Sequence, residues 1–448
     1  MRSLFKKKLG NNLAYNHTMT SRYKLKARLL PFVVILLTLM QLIDPSRIWT
    51  TLLVGFGGAW LLAYLWARSL SNNIKISREM RFGWAQVGDQ LEERFTLVNS
   101  SSLPATWVEV SDQSTMPGYS ASMATGVEGG SISQWVTSGT CKRRGLYWLG
   151  DTKIYTGDPL GIYEVSIEDP ARTNLMVMPP VIPLPQIEIT PGGYLGEGRP
   201  RPNAPEHTVG AAGVREYTPG DSLRTVHWKT SARTEKLFVR LFDGAPAGDW
   251  WILVDLQNEV QAGENENSTE EHAVILAASL ADKGLRARQA VGLVVSGHDL
   301  VWLPPHSGEN QRWEILRELA MVSPGSTPLE ELLERIRPNI SRRSSLLLIT
   351  PNIDPGWLQS LVKLSWRGIV PTVLLLDPAS FGRVGNASGM SSVLGEMGIS
   401  RYILKQGMLD RPEAKPGHRG QWEWRVTATG RAVPVQLPGD SAWRRLAG

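Results

Sequence analysis

Residues 213–240, GVREYTPGDSLRTVHWKTSARTEKLFVR, form the densest run of distinctive residues in the chain, and the rest can be ordered outward from them. Val214 to Tyr217 read as a strand, Pro219-Gly220 as a turn, and Asp221 or Ser222 as the cap of one short helix. On that helix Leu223, Val226 and Thr230 share a side. Arg224 and Trp228 lie one turn apart, where a guanidinium can cover an indole, and so do His227 and Ser231. After Arg233 the chain alternates, with Leu237, Val239 and Leu241 on one face and Phe238, Arg240 and Phe242 on the other, which predicts a second strand. The run follows short alternating segments and precedes alternating strands and helices. It therefore marks a junction, and the fold class is multidomain.

Downstream, the run 249–255 reads as a buried strand ending on an acid. Helices are predicted at about 269–283, 310–321, 328–336 and 355–366, and strands at 290–296, 300–303, 345–350 and 370–376. Strands alternating with helices predict an α/β doubly wound, mainly parallel sheet over 247–381. In the extension 382–448, a loop at 382–392, a short helix at 392–397, a polar linker at 410–420 and a hairpin of 422–428 with 432–437 are expected.

Upstream, 184–246 hold the junction and a Gly/Pro-rich loop, 192–205, GGYLGEGRPRPNAP. Its glycines invite a phosphate-loop reading, but no Gly-Lys-Ser/Thr follows and no helix opens there, so nucleotide binding is rejected. From 74 to 183 short alternating runs at 75–81, 90–98, 106–110, 132–137, 145–149, 153–156 and 175–178, punctuated by turn residues, predict an antiparallel β sandwich. Asp158-Pro159 with Gly161 reads as a turn rather than an acid site.

The chain has 448 residues and a net charge of +6. Residues 1–28 carry eight Lys or Arg and no acid, so the remainder stands at +6 minus +8, or −2. Positive charge gathered in a tail excludes a nucleic-acid binder and points to a basic cytoplasmic segment beside a membrane. The apolar runs 29–43 and 48–67, joined by Asp44-Pro45-Ser46-Arg47, predict a transmembrane hairpin over 29–67 with lipid around it. Only Arg47 lies between the runs, while Arg68, Lys75, Arg78 and Arg81 follow, which places both termini and the soluble domains in the cytoplasm of a two-pass plasma-membrane protein. A single cysteine, Cys141, excludes a disulfide framework and a thiolate metal cluster.

Arg215-Glu216-Tyr217, Gly220-Asp221, Arg224, His227-Trp228 and Ser231-Ala232-Arg233-Thr234 fall at the spacing of a known signature, REYxxGDxxRxIHWxxSART. Residues 144–164, RGLYWLGDTKIYTGDPLGIYE, match a second patch, a strand leading to a DPFGLF-like turn. The chain thus resembles the bacterial and archaeal family called domain of unknown function 58. The resemblance implies a membrane anchor, a von Willebrand factor A-like C-terminal domain and association with MoxR-type AAA-plus ATPases, beside whose genes members are commonly encoded. Domains of the von Willebrand type often hold a divalent ion through Asp-x-Ser-x-Ser, a Thr and a second Asp. Here the first loop is Asp255-Leu256-Gln257-Asn258-Glu259, Thr327 stands for the Thr, and no acid follows the strand 346–349 until Asp354. Asp255, Gln257 and Thr327 are therefore a degenerate set, and no metal or other cofactor is expected.

For chemistry, His227 is the natural general base, Asp221 or Glu216 could orient it, and Ser231 could serve as nucleophile. The sequence designates no third group and no oxyanion site. Arg215, Arg224, Lys229, Arg233 and Arg240 make the region cationic, which favours a docking surface or an inter-domain clamp with His227 and Trp228 packed. Three functions follow: a non-enzymatic membrane adaptor or assembly factor for a MoxR-type ATPase in envelope homeostasis or complex maturation, a membrane-bound hydrolase using His227, and a membrane sensor.

Overall fold

The computed structural model describes residues 19–80, 83–184, 187–189, 211–218, 226–234, 236–242, 248–341 and 344–409, with the short strands Glu423–Val426, Ala432–Gln436 and Arg444–Arg445 beyond them. The expected loop 192–205 and linker 410–420 lie outside the described residues, as do residues 1–18. The chain divides into two compact units, Met1–Met178 with Pro412–Gly448, and Pro179–Arg411.

The first unit opens with a difference from the expected basic tail. Thr20–Leu25 is a strand, β1, followed by helices α1 (Leu30–Ile43) and α2 (Arg47–Asn73). The other strands are β2 (Ile74–Met80), β3 (Trp84–Gln86), β4 (Gln90–Asn99), β5 (Ala105–Asp112), β6 (Met123–Val127), β7 (Ile132–Thr140), β8 (Gly145–Gly157) and β9 (Tyr163–Met178). β1 pairs antiparallel with β9, Leu25 opposite Tyr163 and Thr20 opposite Glu168. Its lysine meets an acid on the neighbouring strand: Lys24 faces Glu164, whose carboxylate lies 3.7 Å from Nζ of Lys26, just beyond the strand. A charged strand suits a sheet edge, where it discourages further pairing.

One sheet runs β1-β9-β8-β5-β6 with β3 beside β9, and the other holds β2, β4 and β7, with Arg444–Arg445 beside β2. Ile76, Phe95 and Leu97 from the second sheet and Val108, Ile154, Ile167 and Leu175 from the first share one core. The long ladder of β8 on β9 was legible only at its ends, because Asp169-Pro170 looks like a turn. The register shifts there, with Gly150 opposite Arg172 and Thr152 opposite Asp169. Pro170 sits in the interruption, where no ladder hydrogen bond is needed from it.

Ser46 caps α2, its hydroxyl accepting the N–H of Trp49 at 3.4 Å. By length and composition it is one helix able to cross a membrane; α1, at 14 residues, is shorter. Its C-terminal part belongs to the β core instead: Ala63, Ala67 and Leu70 are buried there. Trp60 Nε1 donates to Tyr163 OH at 2.8 Å, and Trp66 Nε1 to the Pro104 carbonyl at 3.1 Å. The apolar run read to residue 67 is therefore seated in the β core at one end and leaves large side chains such as Ile48, Val54, Phe56, Leu61 and Leu62 exposed.

Arg78, expected to be one of the basic residues flanking the membrane, is buried. Its Nε and Nη2 donate to the two Glu93 oxygens at 2.7 and 2.6 Å, and Nη1 donates to Asp112 at 2.7 Å. Tyr119 donates to the same Glu93 carboxylate. Burial of this charge is tolerable because its donors meet two carboxylates in good geometry.

The second unit contains β10 (Ala211–Glu216), α3 (Trp228–Thr234), β11 (Phe238–Phe242), β12 (Trp250–Asp255), α4 (Thr269–Arg286), β13 (Val291–Ser296), β14 (Leu300–His306), α5 (Glu309–Met321), α6 (Leu329–Ile336), β15 (Ser345–Thr350), α7 (Leu358–Trp366), β16 (Val370–Leu376), α8 (Ser388–Glu396) and β17 (Ser400–Leu404). The sheet order is β14-β13-β12-β15-β16-β17. All pairings are parallel except β14 on β13. Every residue of β13 and β15 is buried, as a parallel sheet covered on both faces requires. β17 carries the sheet past the boundary expected at 381, and α8 begins at Ser388 where a loop was expected. Strand β17, SRYIL, is short and half-exposed, so its pattern is faint.

Candidate functional site

β10 and β11 form an antiparallel pair, Val214 opposite Arg240 and Glu216 opposite Phe238, extended by the Tyr217 N–H donating to the Leu237 carbonyl at 2.8 Å. Gly220, Asp221 and Arg224 lie outside the described residues, so the cap and the guanidinium-over-indole pairing do too. The helix begins later than expected. Val226 forms a bridge with Val239, both buried, and His227 precedes the first turn. His227 donates its N–H to the Phe238 carbonyl at 2.7 Å, and its own carbonyl accepts the N–H of Thr230 and of Ser231, each at 3.0 Å.

The His227 ring is engaged with the same turn. Nδ1 lies 3.2 Å from the Thr230 N–H, which donates to it, and 2.7 Å from Thr230 Oγ1. An accepting Nδ1 puts the ring proton on Nε2. Ser231 Oγ is buried and accepts the Phe238 N–H at 2.8 Å. The two residues expected to be one turn apart thus take different partners: His227 holds Thr230, and Ser231 fastens α3 to β11. Among the described residues no carboxylate or hydroxyl hydrogen-bonds His227 Nε2. Glu216 instead faces Lys236, at 2.9 Å on an exposed surface where such a pair contributes little.

Trp228 corrects the expectation of a packed indole. It is 65% exposed, and Lys229 and Arg233, one turn apart from each other on the same helix, are exposed too. Of Arg215 and Arg240 only the backbone positions, on β10 and β11, are described. The arrangement is an exposed aromatic side chain and two exposed cations, all carried by one short helix clamped to a hairpin. Such a surface suits binding an acidic, partly apolar patch.

The second candidate lies at the carboxyl end of the parallel sheet, where the strands on either side of β12 run to opposite edges. Asp255 is fully buried. Thr350, at the end of the adjacent β15, donates its hydroxyl to Asp255 Oδ2 at 2.6 Å, and the Gln257 N–H donates to Oδ1 at 3.1 Å. Burial pushes the Asp255 carboxyl up to about 6, against the lowering effect of these two donors. Gln257 turns its amide to Glu259 at 3.0 Å, and Thr327 makes no hydrogen bond to Asp255. Among the described residues no three His, Cys, Asp or Glu side chains gather where an ion could be held. One carboxylate with both oxygens already hydrogen-bonded does not fit a hard divalent ion, which wants several oxygens. The sequence did not single out Arg383, whose guanidinium donates to the Glu259 carbonyl and, at 3.2 Å, to that of Gln261, holding the loop after Asp255.

Residues 213–386 match the family model described as Protein of unknown function DUF58. This chain carries the DUF58 segment. The matched segment begins on β10 and spans the clamp and the sheet through β16. Among curated proteins, the chain is 25% identical over 170 residues to an uncharacterized protein of Mycobacterium tuberculosis, covering 37% of this chain and 54% of that protein. It is 26% identical over 179 residues to the uncharacterized protein YeaD of Bacillus subtilis, covering 40% of this chain and 43% of YeaD. The chain thus spans about half the length of the curated relatives it matches. A solved structure, von Willebrand factor type A from Catenulispora acidiphila, is similar at 10% identity with a TM-score of 0.25, over 36% of this chain and 39% of that one, too slight a likeness to add to the strand order.

Proposed function

We propose that this DUF58 chain is a membrane-anchored, non-enzymatic adaptor that offers the Trp228 surface to a MoxR-type AAA-plus ATPase, in envelope homeostasis or the maturation of a complex. The observation that carries the reading is the exposed indole of Trp228, on a short helix that also exposes Lys229 and Arg233 and whose Ser231 and His227 are spent on holding its shape. The ATPase comes from the family resemblance. Capture of the full chain from gently solubilised membranes, with the ATPase verified as expressed, tests it. The native chain should recover the ATPase, and Trp228→Ala should weaken binding by about 2 kcal/mol, roughly 30-fold, without lowering the melting temperature. Failure of the native chain to recover any such ATPase would overturn the reading.

In this proposal α1 and α2 cross the bilayer as a hairpin and both units lie in the cytoplasm. Support comes from β1, which precedes α1 yet pairs with β9, beyond α2: two strands of one sheet share a side of the membrane, so the chain between them crosses an even number of times. The basic residues before α1 favour the cytoplasmic side. The second unit is taken as a doubly wound sheet of the von Willebrand type, supported by the growth of its strands to either side of β12.

A further inference from the structure

Resting on the membrane-anchored reading, we propose that the turn 158–163 is a second, shallow membrane contact, with Pro159 and Leu160 entering the bilayer interface beside the bases of α1 and α2. Asp158, buried, builds the turn. Its carboxylate accepts the Leu160 N–H at 2.9 Å and the Tyr163 N–H at 2.6 Å, and its carbonyl accepts the Gly161 N–H at 3.1 Å. Gly161 takes φ +69, open to glycine at no cost. The tip is thus held outward, Pro159 is exposed, and Leu160 is 65% exposed.

A lone exposed leucine is ordinary; the surroundings of this one are not. The Ile162 carbonyl accepts the N–H groups of Lys26 at 2.8 Å and Ala27 at 3.2 Å, and the Ala27 carbonyl accepts the Leu30 N–H at 3.1 Å, in the first turn of α1. On the other side Tyr163 OH holds Trp60 of α2. The tip therefore lies level with the exposed apolar side chains Leu29 and Phe32 of one helix and Phe56 and Leu61 of the other. Tyr23, Tyr64 and Tyr163 meet edge to face with centroids 5.8 to 6.5 Å apart, the aromatic chemistry of a bilayer boundary. Lys24, Lys26 and Arg28 are exposed on the segment entering α1, placed for anionic headgroups. An apolar tip, an aromatic belt and a cationic rim at one level match the layering of the lipid interface.

The test uses the full chain in vesicles of phosphatidylcholine with phosphatidylglycerol, labelled with an environment-sensitive fluorophore at Leu160→Cys, at Phe56→Cys on α2, or at Leu146→Cys. Cys141, the only native cysteine, is buried. Leu146 is exposed on the same strand as Gly157 but eleven positions away, roughly 36 Å at a strand's rise. The expected result is that the labels at 56 and 160 shift to the blue and lose most of their emission to brominated lipid, while the label at 146 responds to aqueous iodide instead. If the label at 56 is quenched by lipid and the label at 160 behaves like that at 146, the contact is overturned while the anchor stands, and the tip is free for a protein. If the label at 56 also stays aqueous, the anchor itself is overturned and the contact with it.

Discussion

Asp255 and Arg78 show how differently single buried charges are held. Asp255, at about 6 in the fold against an ordinary 3.8, keeps a proton that the unfolded chain has already released between those values. Its contribution is therefore fully present below pH 3.8 and is lost as pH rises through 6, a change of about 3 kcal/mol. Thermal melting of the full chain across this window should fall as pH rises, and Asp255→Asn should flatten that slope; an unchanged slope in the variant would assign it to other groups. Arg78→Met would leave Glu93 and Asp112 buried without their cation, and a loss of about 3–5 kcal/mol in denaturant unfolding is expected. Read as a membrane flank, Arg78 belongs by strand alternation to the core instead. Arg78 sits on the inward set of β2 with Ile74, Ile76 and Met80, and Glu93 on that of β4 with Leu91, Phe95 and Leu97, so the period of two placed two charges in one core. That they meet each other is a fact of strand pairing, since Met80 stands opposite Glu93 two residues along from Arg78.

Among the elements, the helices and central strands of the sheet could be read from pattern because each buries a continuous apolar face. β1, β17 and all but the end of β9 could not: β1 lies in a basic segment, β9 runs through Asp169-Pro170 before the run 175–178, and β17 is short. The β8–β9 interruption depends on Gly150, which has φ +126 and where a Cβ would stand 2.1 Å from the Ala171 carbonyl oxygen. Gly150→Ala should therefore destabilise the first unit by more than the roughly 1 kcal/mol typical of a backbone mismatch, read as a lowered melting temperature. A melting temperature equal to that of the native chain would mean that the two strands can part without loss. α2 is the element whose meaning changed most. Composition marks an apolar run, and only its neighbours separate the part left exposed from the part seated on the β core by Trp60 and Trp66.

At the scale of the whole chain, the pairing of β1 with β9 ties the ends of the helical pair to one sheet. A reporter active only outside the cytoplasm should work when inserted in the turn at 44–46 and fail when fused at the C-terminus. Activity at both positions would require β1 and β9 to part. By itself the sequence determined the order of the parts: a basic beginning, apolar helices, short alternating strands, the clamp segment 213–240 and an α/β sheet. Periodicity, turn residues and charge are local properties, each written within a few residues of the element it specifies. Tertiary structure alone decided which partners those elements meet. It left Trp228 in solvent, closed Asp255 against Thr350 ninety-five residues away, and brought the turn at Leu160 beside helices that precede it by about a hundred. Contacts at such separations are set by how strands pair and cores close, which no stretch of neighbouring residues encodes.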